Sequence, residues 1–420
     1  MEGRVFNKGF TSLMFTQFFG AVNDNLLKGV LTFAVATGGI WAGQLGKGGQ
    51  SYVALCLTIP FIILSGFAGQ IADRTSKQRI TVLVKVAEIG IAAVGFSGFL
   101  AGNLWITLFA MLLLAIQSSF FGPAKYGMIP ELVGDAQLSQ ANGSINMFTN
   151  IAVIVGTLAA GPVYSAFDPE GSAEAHRWVP GAALLVVALL GFGTCLFIPR
   201  LKAMDPTVRP SFNLIDTYWT AIREMSRGSL LLVAIAWATF YMIGMLALLI
   251  LPDYRDLLSV SPTQASVLLG ILGVAIGLGS VSAGLISGKH IEPRLIPVGA
   301  IGMSVFFALL GVLPLHYYLV ASLLFGAGVF AGFYIVPLQA LLQHLSPPDE
   351  RGRFLGTANA MSFVASTVGS LIFLLARKHL SLPSNRIFLI CAALSLVGTG
   401  VLLWRMRKLI TDPALRHPDP

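Results

Sequence analysis

The stretch Gly69-Gln-Ile-Ala-Asp73-Arg74-Thr-Ser76-Lys77-Gln-Arg79 stands between two apolar runs, at residues 52–72 and 80–101, and sets how the chain is read. Each run is about the 20 residues that a helix needs to cross a bilayer. Gly69 offers room for close helix contact. Asp73 falls at a helix end, where it can meet the positive N-terminus of another helix. Arg74, Lys77 and Arg79 gather where carboxylates or lipid phosphates can pair with them. The stretch therefore reads as a short charged connection between two membrane spans.

Working outward, the same pattern recurs. Further apolar runs lie at 10–40, 104–121, 138–167, 179–198, 230–251, 263–287, 295–313, 317–338, 354–376 and 387–406. The expected fold is an all-α membrane protein with twelve transmembrane helices. Composition agrees: the chain is 55% hydrophobic and 11% charged, where a soluble domain carries about 25% charged residues. Its mean hydropathy is +0.79. A water-soluble globule of this size could not bury so much apolar side chain. The 45 glycines suit close helix packing in lipid. Cys56, Cys195 and Cys391 all sit in apolar runs and read as core fillers, not as metal ligands or disulfide partners. The first run is too long for a leader peptide and is taken as a span.

Twelve spans place both termini on one side. The connections on that side hold 19 lysines and arginines and the opposite connections hold 6, with Lys28 and Lys85 inside spans. Basic residues concentrate in cytoplasmic loops, so cytoplasmic termini are expected. The net charge of +8 then reflects lipid-facing loops and gives no reason to expect a nucleic-acid partner.

The longest polar stretch, 200–227, divides the spans six and six. The expected organisation is an N-terminal six-helix bundle at 1–199, a cytoplasmic linker at 200–228 and a C-terminal six-helix bundle at 229–420. Phe212, Ile215, Trp219 and Ile222 recur at helical spacing within the linker and predict an amphipathic surface helix. The halves also echo one another about 215 residues apart: Gly69…Asp73-Arg74 with Gly284…Gly288-Lys289, Phe121-Gly-Pro123 with Ile335-Val-Pro337, and Ala141-Asn142-Gly143 with Ala358-Asn359-Ala360. Three echoes in one order argue for a duplicated unit, as in carriers whose halves rock about a midplane site.

Candidate functional residues follow from cost. A charge inside a span is expensive and marks function by default. Asp24 and Lys28, four apart in the first span, share a helix face and can pair. Lys85 and Glu88 in the third span read as a pair closer to the terminus side. Asn142, Asn146 and Asn150 form a ladder on the fifth span, able to bond a polar substrate or a neighbouring helix. Met14, Phe15, Phe18 and Phe19 near Asp24, and Phe240, Tyr241 and Met242 in the seventh span, are candidate apolar walls. Gln117, Gln339 and Gln343 are weaker candidates. His344 and Asp349 have the spacing of an acyltransferase dyad, but two prolines separate them and no soluble catalytic domain surrounds them. No enzyme activity is expected. No glycine-rich phosphate loop appears, and no cofactor or metal is expected.

The 69–79 stretch resembles the conserved loop signature of the major facilitator superfamily. That resemblance implies a gate on the terminus side built from Gly69, Asp73, Arg74 and Lys77. Three further stretches are similar to the bacterial lysophospholipid transporter family: Gln17-Phe-Phe-Gly-Ala-Val-Asn-Asp24-Asn25, Gly122-Pro123-Ala124-Lys125-Tyr126-Gly127 with Glu131, and Val336-Pro337-Leu338-Gln339-Ala340-Leu341-Leu342-Gln343. This second resemblance implies a carrier or flippase for lysophospholipids, chiefly lysophosphatidylethanolamine. It would act by alternating access in the bacterial inner membrane, as a monomer, with membrane lipids around it and a separate acyltransferase as partner. It also implies functional roles for Asp24, Asn25 and Lys125. Members of that family carry an arginine in the seventh span, where this chain has Gly244, Met245 and apolar neighbours. Two other readings stay open: proton-coupled drug efflux with Asp24 as proton carrier, and a membrane-bound acyltransferase.

Overall fold

In lipid no water is at hand for an open backbone, so an apolar run must satisfy its own N–H and C=O groups, and a helix does so within one segment. The protein is described by a computed structural model over residues 6–133, 138–169, 175–202, 214–287, 291–314, 316–346 and 351–410. Twelve long helices result. They are α1 (Lys8–Val35), α2 (Gln50–Arg74), α3 (Lys77–Leu100), α4 (Leu104–Val133), α5 (Leu138–Phe167), α6 (Val179–Cys195), α7 (Leu230–Ile250), α8 (Pro262–Ser287), α9 (Leu295–Val312), α10 (Tyr317–Leu345), α11 (Arg351–Lys378) and α12 (Ile387–Ile410).

Among the described residues, nine of these segments are long and apolar enough to cross a membrane. The remaining three are α1, α2 and α6. The apolar part of α2 covers Gln50–Ser65 and α6 has 17 residues. Helix α1 has 28 residues, ample length, but carries Asn23, Asp24, Asn25 and Lys28 in its middle. Helix α4 corrects the sequence-based expectation most. It does not end near Phe121 but continues through Pro123 and Pro130 to Val133. Neighbouring helices make such interruptions tolerable.

The helices pack in two sets of six. In the first, α1 packs on α5 and α6, α4 on α2 and α3, and α3 on α6. The second repeats the pattern six helices later: α7 on α11 and α12, α10 on α8 and α9, and α9 on α12. The two sets meet through α2 with α11 and α5 with α8, contacts that the same repeat interchanges. The duplication suggested by the short echoes is thus a property of the packing.

One end of the molecule holds the start of α1. There the Asn7 side chain accepts from Phe10 N–H at 2.9 Å and donates to Leu132 O at 2.7 Å, joining the start of α1 to the end of α4. We call this the terminus side and the other end the far side. The hydrogen bonds described between the two sets run from mid-helix to the far side. Ser51 Oγ donates to Ser370 O at 2.7 Å, Thr367 Oγ1 to Thr58 Oγ1 at 2.8 Å, and Ser266 Oγ to Leu158 O at 3.3 Å. The Phe61 and Phe363 rings stack at 4.8 Å.

The linker contributes a helix, Leu214–Met225, packed on α2, α7 and α11. Its buried contacts are Ala221 and Met225, while Trp219 is exposed. Trp219 therefore does not face the protein, and an interfacial tryptophan suits the bilayer boundary. Phe212, and Gly288 and Lys289 of the second echo, lie outside the described residues.

Candidate functional site

The charged residues of the first set of helices converge. Asp24 on α1, Lys85 and Glu88 on α3, and Lys125 on α4 line one cavity of about 130 Å³, with Gln17, Gln117, Ser118, Phe61 and Phe121. A charge at mid-membrane costs on the order of 2.5–3.5 kcal/mol on an insertion scale. Four such residues around one space need partners or a purpose.

Two of them pair. Lys85 Nζ lies 2.6 Å from Glu88 Oε2, and both side chains are 1% exposed. Asn23 Nδ2 donates to Glu88 Oε1 at 2.9 Å, and Gln117 Nε2 reaches Val84 O at 3.3 Å and Glu88 Oε2 at 3.5 Å. Gly20 makes room for this pair, since a Cβ there would stand 2.6 Å from Lys85 Nζ. Glu88 lies midway along α3, deeper than the sequence suggested, so the pair belongs to the cavity and not to the terminus-side boundary.

The other two have no ion-pair partner among the described residues. Asp24 accepts from Ser118 Oγ, 3.1 Å to Oδ2 and 3.3 Å to Oδ1. Lys125 is buried and holds its Nζ 4.3 Å from the centroid of the Tyr126 ring. The cavity thus combines a hydrogen-bonded carboxylate with an ammonium that sits over an aromatic face, plus two phenylalanine walls.

Lys28 does not pair with Asp24, despite sharing its face. Its Nζ donates to Asn25 Oδ1 at 2.7 Å, and Asn25 Nδ2 donates to Ala21 O at 2.8 Å. Asn25 and Lys28 turn instead to a smaller space of about 50 Å³ between the two helix sets, with Thr157, Leu249 and Leu269. Of the amide ladder on α5, Asn146 and Asn150 do not line the Asp24 cavity. Asn146 and Asn150 are exposed, with Tyr126 Oη donating to Asn146 Oδ1 at 3.5 Å. The side chain of Asn142 lies outside the described set. Thr149 of α5 instead turns toward α1, where it accepts from Gln17 Nε2 at 3.1 Å. The aromatic walls also differ from expectation. Phe15 and Phe18 pack on Phe148 at 5.8 and 6.2 Å, and Met14 is a core residue. The walls come from α2 and α4.

On the terminus side, Lys77 is 2% exposed and its Nζ lies 2.7 Å from Glu131 Oε1. This anchors the start of α3 to the end of α4. Arg74 is exposed, and the Asp73 side chain lies outside the described set. Gly69 does not mediate close contact in this state, because a Cβ there would meet nothing within 4 Å. His344 is exposed in the last turn of α10, and Asp349 lies outside the described residues.

Sequence reasoning left Ser118 out and undervalued Gln117. The available signal was their position in the middle of α4 next to Lys125, on a helix otherwise strongly apolar.

Two six-helix sets related by a repeat, with a polar midplane cavity inside the first set, define a multi-pass membrane carrier. The Major Facilitator Superfamily profile matches residues 13–370 and 238–418, and the chain belongs to that family. Among curated proteins it is 29% identical over 426 residues to a lysophospholipid transporter LplT of Cronobacter sakazakii, covering 97% of this chain and 98% of the relative. It is 28% identical over 373 residues to the lysophospholipid transporter LplT of Yersinia enterocolitica, covering 85% and 82%. Among solved structures, a D-xylose-proton symporter superposes with a TM-score of 0.69 at 18% identity, over 94% of this chain and 97% of the other. A bacterial homologue of the human lysosomal transporter Spinster, inward-facing and unoccupied, gives 0.69 at 14% identity, over 97% and 99%. The structural likenesses bear on the fold alone.

Proposed function

We propose that this secondary transporter moves lysophospholipid, of the lysophosphatidylethanolamine kind, across or into the inner leaflet of a bacterial inner membrane by alternating access. The observation that carries the reading is a pair of opposite charges in one cavity, neither with an ion-pair partner among the described residues. Asp24 matches the ammonium of a zwitterionic headgroup, and Lys125 matches its phosphate. Phe61 and Phe121 supply apolar walls for the adjoining carbon chain. The names of the relatives point to the same cargo.

In this reading residues 1–199 and 229–420 move as two bodies joined by 200–228, and the terminus side is cytoplasmic, as the excess of basic residues there favours. Asn25 and Lys28 guard the space between the bodies, Asn146 and Asn150 face the cytoplasmic approach, and Asn142 is proposed as a third amide for the substrate. Gly69, Asp73, Arg74 and Lys77 close the terminus side. The protein carries its cargo without chemical change, works as a monomer, and hands lysolipid to a separate acyltransferase.

The test is transport. Vesicles bearing the protein are given labelled lysophosphatidylethanolamine, and lipid protected from an added scavenger is counted. Protein-dependent protection is expected. No difference from empty vesicles would refute the proposal.

A further inference from the structure

The far side carries a polar cluster that neither the cavity nor the terminus-side motif uses. Asp253, just after α7, and Arg377, near the end of α11, are both buried. Arg377 Nε stands 3.3 Å from Asp253 Oδ2, and Ser384 Oγ donates to the same oxygen. These three residues belong to the second helix set. The opposite oxygen, Oδ1, is given to the first set: Gln50 Nε2 donates to it at 2.5 Å and Thr37 N–H at 3.1 Å. Arg377 crosses too, donating through Nη2 to Thr37 Oγ1 at 2.9 Å, while Nη1 donates to Leu382 O at 2.8 Å.

We propose that Asp253 and Arg377 form the far-side gate of this carrier, closing it by gripping Thr37 and Gln50. The inference deepens the alternating-access reading above and rests on it. The arrangement is suited to a gate for three reasons. The ion pair is internal to one helix set, so opening need not separate two buried charges, which would be severe. Within this cluster only the hydrogen bonds that join Asp253 and Arg377 to Gln50 and Thr37 must break when the sets part. Second, the contact is not fully satisfied, since Gln50 Oε1 is buried there without a hydrogen-bond partner among the described residues. Unmade bonds of this kind offset part of the gain, leaving a closed state that can reopen. Third, a neighbouring contact repeats the theme. Arg255 of the second set lies 4.0 Å from Asp168 and donates to Tyr164 Oη at 3.4 Å and Gly38 O at 3.2 Å, all in the first set.

Beneath this cluster lies the 50 Å³ space lined by Lys28 and Thr157, between the two sets. At the other end Gly69 has open room. Opening the far side should uncover the first place and, by the alternating motion, crowd the second.

The experiment uses full-length protein in nanodiscs, with Cys56, Cys195 and Cys391 replaced by serine. Single reporters Thr157→Cys and Gly69→Cys are labelled by a hydrophilic thiol reagent. Gln50→Ala removes one grip without touching the ion pair. Asp253→Asn weakens both grips and serves as the second variant. Losing one hydrogen bond to a charged group corresponds to about a tenfold change in population. The expected result is a rise of about tenfold in Thr157→Cys labelling with Gln50→Ala, a rise at least as large with Asp253→Asn, and slower Gly69→Cys labelling in both. An unchanged Thr157→Cys rate overturns the gate. Faster labelling at both reporters also overturns it, because that is general loosening. No lysolipid enters the assay, so a failed cargo reading and a failed gate give different results.

Discussion

The two helix sets pack alike and differ in chemistry. In the first, α1, α3 and α4 carry Asp24, Lys28, Lys85, Glu88 and Lys125 within their lengths. Their counterparts in the second, α7, α9 and α10, carry no charged residue except His344 in the last turn of α10. Where the first set buries an ion pair, the second buries Tyr334 against Phe240, with ring centroids 6.1 Å apart, and Ser304 donating to Ala392 O at 3.1 Å. The same packing therefore stands without buried charges. The charges of the first set are not a requirement of this packing.

Four expectations sharpen this comparison, from the largest effect to the smallest. Asp24→Asn keeps the hydrogen-bonding shape and removes the charge. It should reduce lysolipid transport to background while the protein still inserts, as uptake and membrane yield would read out. Glu88→Gln leaves Lys85 buried without its partner and should destabilise by about 3–5 kcal/mol. Ser304→Ala, on the corresponding helix α9 of the second set, should cost about 1 kcal/mol. Thermal unfolding in detergent compares the two, and equal losses would remove the distinction drawn here. Asp73→Ala should shift the balance of the two sets several-fold, as expected for about 1 kcal/mol at a helix terminus; cross-linking across the terminus side reads it. His344→Ala should leave transport near the wild-type rate, and no acylated product should form from lysolipid and an acyl donor. Product that vanishes with His344→Ala would make the chain an enzyme.

Much of the architecture was legible because it rests on local signals. Apolar length gave the helices, and helix α5 begins and ends where its run does, at Leu138 and Phe167. The cost of charge pointed to Asp24. What failed to show depended on three-dimensional choice. Lys28 can reach either Asp24 or Asn25 from one helix face, and only packing decides between them. Glu88 read as a boundary residue because a sequence gives position along a helix but not the depth of its neighbours. Gly69 read as a contact point because its motif describes a closed terminus side, whereas this state leaves room there. The far-side cluster was hardest to see. Its bonds join Thr37 to Asp253 and Gln50 to Asp253 across 216 and 203 residues, and in sequence Arg377 was one more basic loop residue.

The central claim is that one headgroup is held between Asp24 and Lys125. Binding of two lysolipids to the purified protein tests it most directly: zwitterionic lysophosphatidylethanolamine, and lysophosphatidic acid, which lacks the amine. Breaking one side of a buried charge contact costs about 2–5 kcal/mol. The wild-type protein should therefore prefer the zwitterion by at least about tenfold, and Asp24→Asn should abolish that preference while Lys125→Gln weakens binding of both lipids. An Asp24→Asn protein that retained the full wild-type preference for the zwitterion would contradict the account.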